Sequence, residues 1–341
     1  MPPVTASSRL ISRPGRAASP TRPVAAFASE STPATPLSAT VNDILQRYDQ
    51  GRTGLEETVL ALFHGGVSPA QAELAACRLF GADSGLPELA ARARTVAREI
   101  TAWTQRALAR PRTSLFLQAV TFTQKPPSGP RETTVQIAVG VDARGGLEVL
   151  GVAAVPPGAE PWTGLLAGLR RRGLPAAEIV VGGSEPDLPR AVHRHFPGAR
   201  FQVCLGTLEE QLLYKVPPAL VHVVADGFAS LRAATAAAAA RAARSALTLR
   251  LRTHGQTEVA AWLENTDDVL FSHLAFPPGQ QAHLRDARFL RKPLGQVRAR
   301  VRLLGPELDD TTLMLLVAAR LRQTWPAHAQ RRFKTLARRA G

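Results

Sequence analysis

The apolar positions fall into three regimes: helical spacing, then short runs of strand length, then helical spacing again. VNDILQRY (41–48) predicts a short helix, and GLEETVLALFHGG (54–66) a second that ends at paired glycines. Ser68 suits an N-cap and Pro69 a first helical position, so SPAQAELAACRLFG (68–81) is a third. LPELAARARTVAREITAWTQRAL (86–108) is a fourth, with Leu89, Ala93, Val96, Ile100, Trp103 and Ala107 on one stripe. From Ser114 the pattern changes. SLFLQAVTFTQ (114–124) predicts a strand with mixed apolar faces. TTVQIAVGVDARGG (133–146) predicts a second that ends in a Gly-rich turn, and LEVLGVAAV (147–155) a third; such a turn suits a hairpin. PWTGLLAGLRRRG (161–173) is helical between Pro161 and Gly173. EIVVGG (178–183) is a short buried strand, LPRAVHRHF (188–196) a helix and ARFQVC (199–204) a last strand. Residues 205–285 read as almost wholly helical. They include an Ala-rich helix at 224–252 of high intrinsic propensity and another at 257–274. RKPLGQVRARVRLLG (291–305), an amphipathic helix at 309–325 and the basic AQRRFKTLARR (329–339) follow.

From 114 to 204 the predicted order is βββαβαβ. That is the order of an RNase H-like mixed five-stranded sheet with flanking helices, in which 114–124 is central and lies beside 178–183. The α/β core then spans 111–218, with an all-helical insertion over 219–285 and basic C-terminal helices over 286–341 completing the core. Before it, 41–110 reads helix, Gly turn, helix, short turn, helix, a helix-turn-helix pattern. Arg92, Arg94 and Arg98 on the third of those helices are candidate DNA contacts; the bland reading is the solvated face of a helical bundle. Residues 1–40 are rich in Pro, Ala, Ser, Thr and Arg, with Glu30 the single acid, and read as a disordered tail. A transit peptide is the weaker reading of the same stretch.

Charge sharpens the picture. The chain has 341 residues, with 42 Lys and Arg against 27 Asp and Glu, a net +15. Codon bias explains the choice of Arg over Lys but not the excess of bases over acids, so a polyanionic partner is expected. From Asp286 to Gly341 there are 13 bases and 4 acids, which concentrates the footprint there. Arg298, Arg300, Arg302, Arg331, Arg332, Arg338 and Arg339 are the candidate phosphate contacts. Two cysteines, Cys77 and Cys204, provide neither a disulfide framework nor a four-ligand metal site, and a reducing cytoplasm is the default. No apolar run approaches the ~20 residues that span a membrane.

Five stretches carry a resemblance. AVGVDARGGLEVLG (138–151) is similar to a family hairpin, "AVGV-ADG--EVLG". PWTGLLAGLRRRGL (161–174) keeps a family Trp as Trp162. FPGARFQVCLGTLEEQLLYKVP (196–217) and FPPGQQAHLRDARFLRK (276–292) run without a gap beside "FPGA-WQRC--H---N-L-KVP" and "FPPEH---LRTTNALER". GLEETVLALFHGGVSPAQAELAACRLFG (54–81) is similar to the family's helix-turn-helix segment. Over roughly residues 45–335 the chain resembles mutator-type bacterial insertion-sequence transposases, a DDE family. The resemblance implies double-stranded DNA as partner, a bacterial, nucleoid-associated protein, and homo-oligomers or hetero-oligomers with an active transposase.

The family's chemistry uses Mg²⁺ or Mn²⁺, a pair of cations ~3.5–4 Å apart held by three carboxylates. The resemblance puts the first Asp position at Gln118, the second at Gly183 and the Glu at Arg291, so all three acids are replaced. Glu185, two residues past Gly183, is the candidate substitute. Of the family's "C--H" pair, Cys204 is kept and Thr207 stands in the His position. Pro293 and Gly295 fall in what should be the Glu-bearing helix, where an interior Pro costs ~3 kcal/mol. Asp142 reads as a turn residue, and His193 and His195 as surface histidines. No metal or other cofactor is expected. The expectation is a transposase-like DNA-binding protein that is a degenerate, inactive copy, and whether it is an enzyme stays open. The alternatives are a scaffold protein derived from a transposase, and an active transposase with a relocated metal site.

Overall fold

The computed structural model describes residues 36–124, 129–155, 158–301 and 308–324. The sheet is built on β1 (Arg112–Gln124). Phe116, Val120 and Phe122 of β1 bury on one face, and Leu115 and Leu117 on the other. A strand buried on both faces loses the simple alternation of apolar and polar residues, which is why 114–124 reads as mixed. β2 (Arg131–Val141) pairs antiparallel with β1, with Gln118 opposite Ile137. β3 (Leu147–Ala154) pairs antiparallel with β2 across an irregularity at Ala138/Val139. β4 (Ala177–Gly182) runs parallel to β1, with Phe116 opposite Val181, and β5 (Arg200–Val203) parallel to β4. The order is β3-β2-β1-β4-β5. The mixed five-stranded sheet and its central strand are as expected, and the arrangement is consistent with an RNase H-like core.

The helices are α1 (Ala39–Asp49), α2 (Leu55–His64), α3 (Pro69–Phe80), α4 (Leu86–Gln105), α5 (Thr163–Arg171), α6 (Leu188–His195) and α7 (Leu205–Lys215). They continue as α8 (Val221–Ala233), α9 (Ala237–Thr253), α10 (Thr257–Glu264), α11 (Asp267–Leu270), α12 (Pro278–Leu284), α13 (Arg291–Val301) and α14 (Asp310–Thr324). Helices α1–α4, α13 and α14 share one core with Phe116, Ile137 and Val149 of the sheet. Helices α5–α11 contribute Leu166, Leu208, Phe228, Leu251 and Leu270 to the other, against Leu115, Leu117 and Val180. No helix among the described residues is long and apolar enough to cross a membrane.

Several local expectations need correction. The helix from 86 ends at Gln105, and Ala107 is exposed while Thr104 is buried. Arg106 leaves the helix extended because its guanidinium binds the Trp103 carbonyl and Glu148. The Ala-rich stretch is two helices, α8 and α9, with a break at 234–236. Phe228 and Leu231 pack against Leu247 and Leu251, and burial outweighs the propensity of an Ala run. The stretch 257–274 breaks as well, into α10, α11 and a 3₁₀ turn, Ser272–Ala275. There the Gln202 side chain takes the Leu270 carbonyl at 2.9 Å and accepts from the His273 backbone N–H at 2.9 Å. Burial holds the His273 pKa down to about 4, so its ring is neutral where it meets Gln202.

Pro293 is the correction that matters most for the site. Helix α13 starts at Arg291, after a 3₁₀ turn (Arg288–Leu290). Pro293 is therefore in the first turn, where backbone N–H groups have no intrahelical partner, and the expected interior penalty does not arise.

Candidate functional site

Three elements converge beside the middle of β1. The chain leaves β5 at Cys204, the N-cap of α7. The Leu205 N–H donates to the Arg285 carbonyl at 2.9 Å, and the Ala287 N–H donates to Cys204 Sγ at 3.3 Å. These bonds tie segment 285–287 to the start of α7. Next, the Phe289 ring meets Phe116 edge-on, with centroids 4.9 Å apart and planes at 88°. Two residues beyond each ring lie Gln118 and Arg291. Both line a cavity of about 210 Å³, together with Cys204, Gly206, Thr207, Glu210, Asp286, Arg288 and Arg298.

The cavity's charges are mostly committed to one another. Asp286 accepts from the Arg288 N–H at 2.8 Å and pairs with Arg288 Nε at 2.9 Å. Burial raises the Asp286 pKa, and Arg288 opposes that rise. Asp286 Oδ1 lies 2.7 Å from where a side chain on Gly206 would begin, so any larger residue there would make the carboxylate shift. Arg288 also reaches Glu209 at 3.0 Å, and Glu209 holds Arg232. Arg285 donates to the Arg232 carbonyl, and burial followed by the Arg232 charge lowers its pKa. Arg291 pairs with Glu210. Arg298 is exposed and has no hydrogen-bond or ion-pair partner among the described residues.

Gly183 and Glu185 lie elsewhere. Continuing the β1–β4 register by two residues puts Gly183 level with Gln118. Yet Gly183 and Glu185 line a second cleft, of about 480 Å³, with Ser184, Phe201, Glu264 and Thr266. A Cβ on Gly183 would fall 2.2 Å from Glu185 Oε2, so the Glu185 carboxylate fills the space a side chain at 183 would use. That oxygen is buried with no hydrogen-bond partner among the described residues. Burial raises the Glu185 pKa above its ordinary 4.5.

A stability test follows. A carboxyl whose folded pKa is raised stabilises the fold below its unfolded pKa and loses that contribution as pH rises through the folded value. Glu185→Gln is expected to be more stable than the parent near pH 7, with the difference closing near pH 4. Urea midpoints at the two pH values measure it. A difference that does not change with pH would contradict the buried, unsatisfied carboxylate.

The remaining predicted residues are dispersed. On α4, Arg92 pairs with Glu88 at 2.8 Å and covers the Phe80 ring, while Arg94 and Arg98 bond only within their own helix. Arg300 is on α13 with its side chain outside what is described; Arg302, Arg331 and Arg332 lie outside the described residues altogether, as do residues 1–35 of the expected tail 1–40 and the basic end from 325. The last residues of that tail are ordered instead, because Ser38 caps α1 by accepting from the Val41 N–H, and Ala39 and Thr40 are helical. Asp142 accepts from the N–H groups of Arg144 and Gly146, the turn role expected of it. His193 is exposed, but His195 is half-buried, and burial followed by Arg194 and Arg170 lowers its pKa. The acids that line the cavity, Asp286 and Glu210, and Glu209, which pairs with Arg288 beside it, were not singled out from sequence. Their signal was position alone: Asp286 lies five residues before Arg291, and Glu210 three after Thr207, inside the two gapless motifs.

Residues 39–325 match the sequence model of the Mutator family of transposases. The chain belongs to the Mutator transposase family. A similar protein, the transposase for insertion sequence element IS1201 of Lactobacillus helveticus, is 24% identical over 173 residues. The match covers 50% of this chain and 47% of that relative, so it spans about half the length of each.

For this Mutator-family chain the fit of a divalent-cation pair can be judged from the donors. At the three positions that the resemblance assigns to the metal ligands, Gln118 offers one neutral amide oxygen, Gly183 no side chain and Arg291 a cation. The acids that line the first cavity are engaged, Asp286 with Arg288 and Glu210 with Arg291, and Glu185 is a single carboxylate in the other cleft. Among the described residues no group of three His, Cys, Asp or Glu side chains is placed to hold a metal. This donor set does not fit two hard cations, which need several anionic oxygens at once.

Proposed function

We propose that this Mutator-family chain binds double-stranded DNA and does not cleave or join it. The observation that carries the reading is the cavity in which Arg291 and Gln118 meet, with its acids already paired to arginines. A guanidinium ~4 Å from a cation costs about 4 kcal/mol per unit charge at an effective dielectric near 20, before any ligand is counted. Gln118, Gly183 and Arg291 are read as the degenerate DDE positions, with Cys204 and Thr207 as the remains of the "C--H" pair. Support for DNA comes from the family and from the net charge of +15. Helices α2–α4 are read as the helix-turn-helix region, with Arg92, Arg94 and Arg98 exposed on it. The α/β sheet is read as an RNase H-like core, helices α8–α12 as its insertion, and α13 and α14 as helices that complete the core.

A second reading, an active transposase with a relocated carboxylate, is favoured by one observation: Glu185 fills the side-chain space beside Gly183. Gln118 and Arg291 weigh against it, because one acid does not make a two-cation site. A screen of duplex fragments with and without Mg²⁺ tests the proposal. Binding at low salt that is indifferent to a chelator is expected. Absence of binding at low salt, or binding that needs Mg²⁺, would overturn it.

A further inference from the structure

We infer that the cavity between β1, α7 and α13 takes one phosphate of the DNA backbone on Arg291 and Arg298, and that Glu210 holds Arg291 until the phosphate displaces it. This rests on the DNA-binding reading above and deepens it by naming one phosphate's seat and the internal anion that competes for it.

The geometry is that of a two-pronged cationic wall. Arg291 and Arg298 are seven residues apart on α13, two turns, so they share a face, and both line the cavity. Arg298 has no partner among the described residues. Arg291 is engaged by Glu210 of α7, and the two side chains are 60% and 55% exposed. An exposed pair of this kind contributes little and is screened by salt, so it exchanges readily for a better anion. A phosphate is that better anion, because its oxygens accept two parallel N–H bonds from a guanidinium fork. Arg288 is not counted as a ligand: Asp286 and Glu209 hold it. Those two pairs also shield an incoming phosphate from the nearby carboxylates. The cavity, about 210 Å³, is several times the ~30 Å³ share of one liquid water, and it opens beside exposed Arg298. Arg291 thus stands where the family resemblance puts an acidic metal ligand, and with Arg298 it serves binding without chemistry.

The test is fluorescence anisotropy of the full chain on a duplex, with chelator throughout. Arg291→Ala and Arg298→Ala are each expected to weaken binding about tenfold, the size of one charge-assisted contact, and to make the salt slope shallower by about 0.9. Glu210→Gln is expected to tighten binding several-fold, and that gain should vanish when Arg291 is also Ala. Parent binding that neither arginine variant changes would overturn the inference while leaving the DNA reading intact. So would a Glu210→Gln gain that survives in Arg291→Ala, which would mark a general charge effect. No binding by the parent chain itself would overturn the DNA reading and this inference together. All three side chains changed in the test, Glu210, Arg291 and Arg298, are exposed, and a thermal melt of each variant verifies that it folds.

Discussion

Raising salt from about 50 to about 200 mM is expected to lower the affinity of this chain for duplex DNA about 10³-fold. Each phosphate neutralised by Lys or Arg releases condensed counterions and adds about −0.9 to the slope of log K against log salt, so about six contacts produce a drop of that size. The supply of cations is ample. The net charge is +15, and 13 bases against 4 acids fall after residue 285. On α4, Arg94 and Arg98 make no ion pair among the described residues, so their charges are available to an outside anion. Replacing Arg298, Arg300 and Arg302 together should weaken binding across all sequences and leave preference unchanged, because phosphate contacts position the protein without reading bases. Anisotropy titrations across the salt range measure the slope. A slope shallower than about −2 would mean that fewer than about three phosphates are engaged, and would contradict the charge argument.

Phe116→Ala is expected to destabilise the fold by about 3–5 kcal/mol, the range for truncating a fully buried Phe. Phe116 is fully buried on the central strand, and its ring meets Phe289 edge-on. Such pairs add about 0.5–1.5 kcal/mol beyond the area they bury. Against a typical total of about 5–15 kcal/mol, that loss takes much of the margin. It should also loosen the cavity, since Gln118 and Arg291 each follow one of the two rings by two residues. Urea denaturation of parent and variant gives the difference. A loss below about 1 kcal/mol would mean that the segment before α13 does not depend on β1 for its place.

The strand order was legible because every strand holds a short apolar stretch with a punctuated end, and the middle of β1, Leu115–Val120, is apolar on both faces except for Gln118. The break inside 224–252 was not, because no Gly or Pro marks it at 234–236; the packing of α8 on α9, where Leu247 lies against Gly227, decides it. Pro293 was misjudged for a related reason. Whether a proline is interior or in a first turn depends on where the helix starts, and here a 3₁₀ turn, Arg288–Leu290, sets that point. Motif register picked out Gln118, Cys204, Thr207 and Arg291, which line one cavity, and Gly183, which lines the other cleft. It did not reveal that Asp286 and Glu210 face the same cavity, or that Glu185 fills the space beside Gly183. Those are consequences of chain crossings, and no local pattern encodes them.

The reading of a DNA-binding chain without catalysis is tested most directly by a nicking and strand-transfer assay with Mn²⁺, the more permissive ion. The expected result is no nicked or joined product at any protein concentration that saturates the DNA. Product formed by the unmodified chain, abolished by chelator and by Glu185→Ala, would contradict it and assign the lost chemistry to a relocated carboxylate.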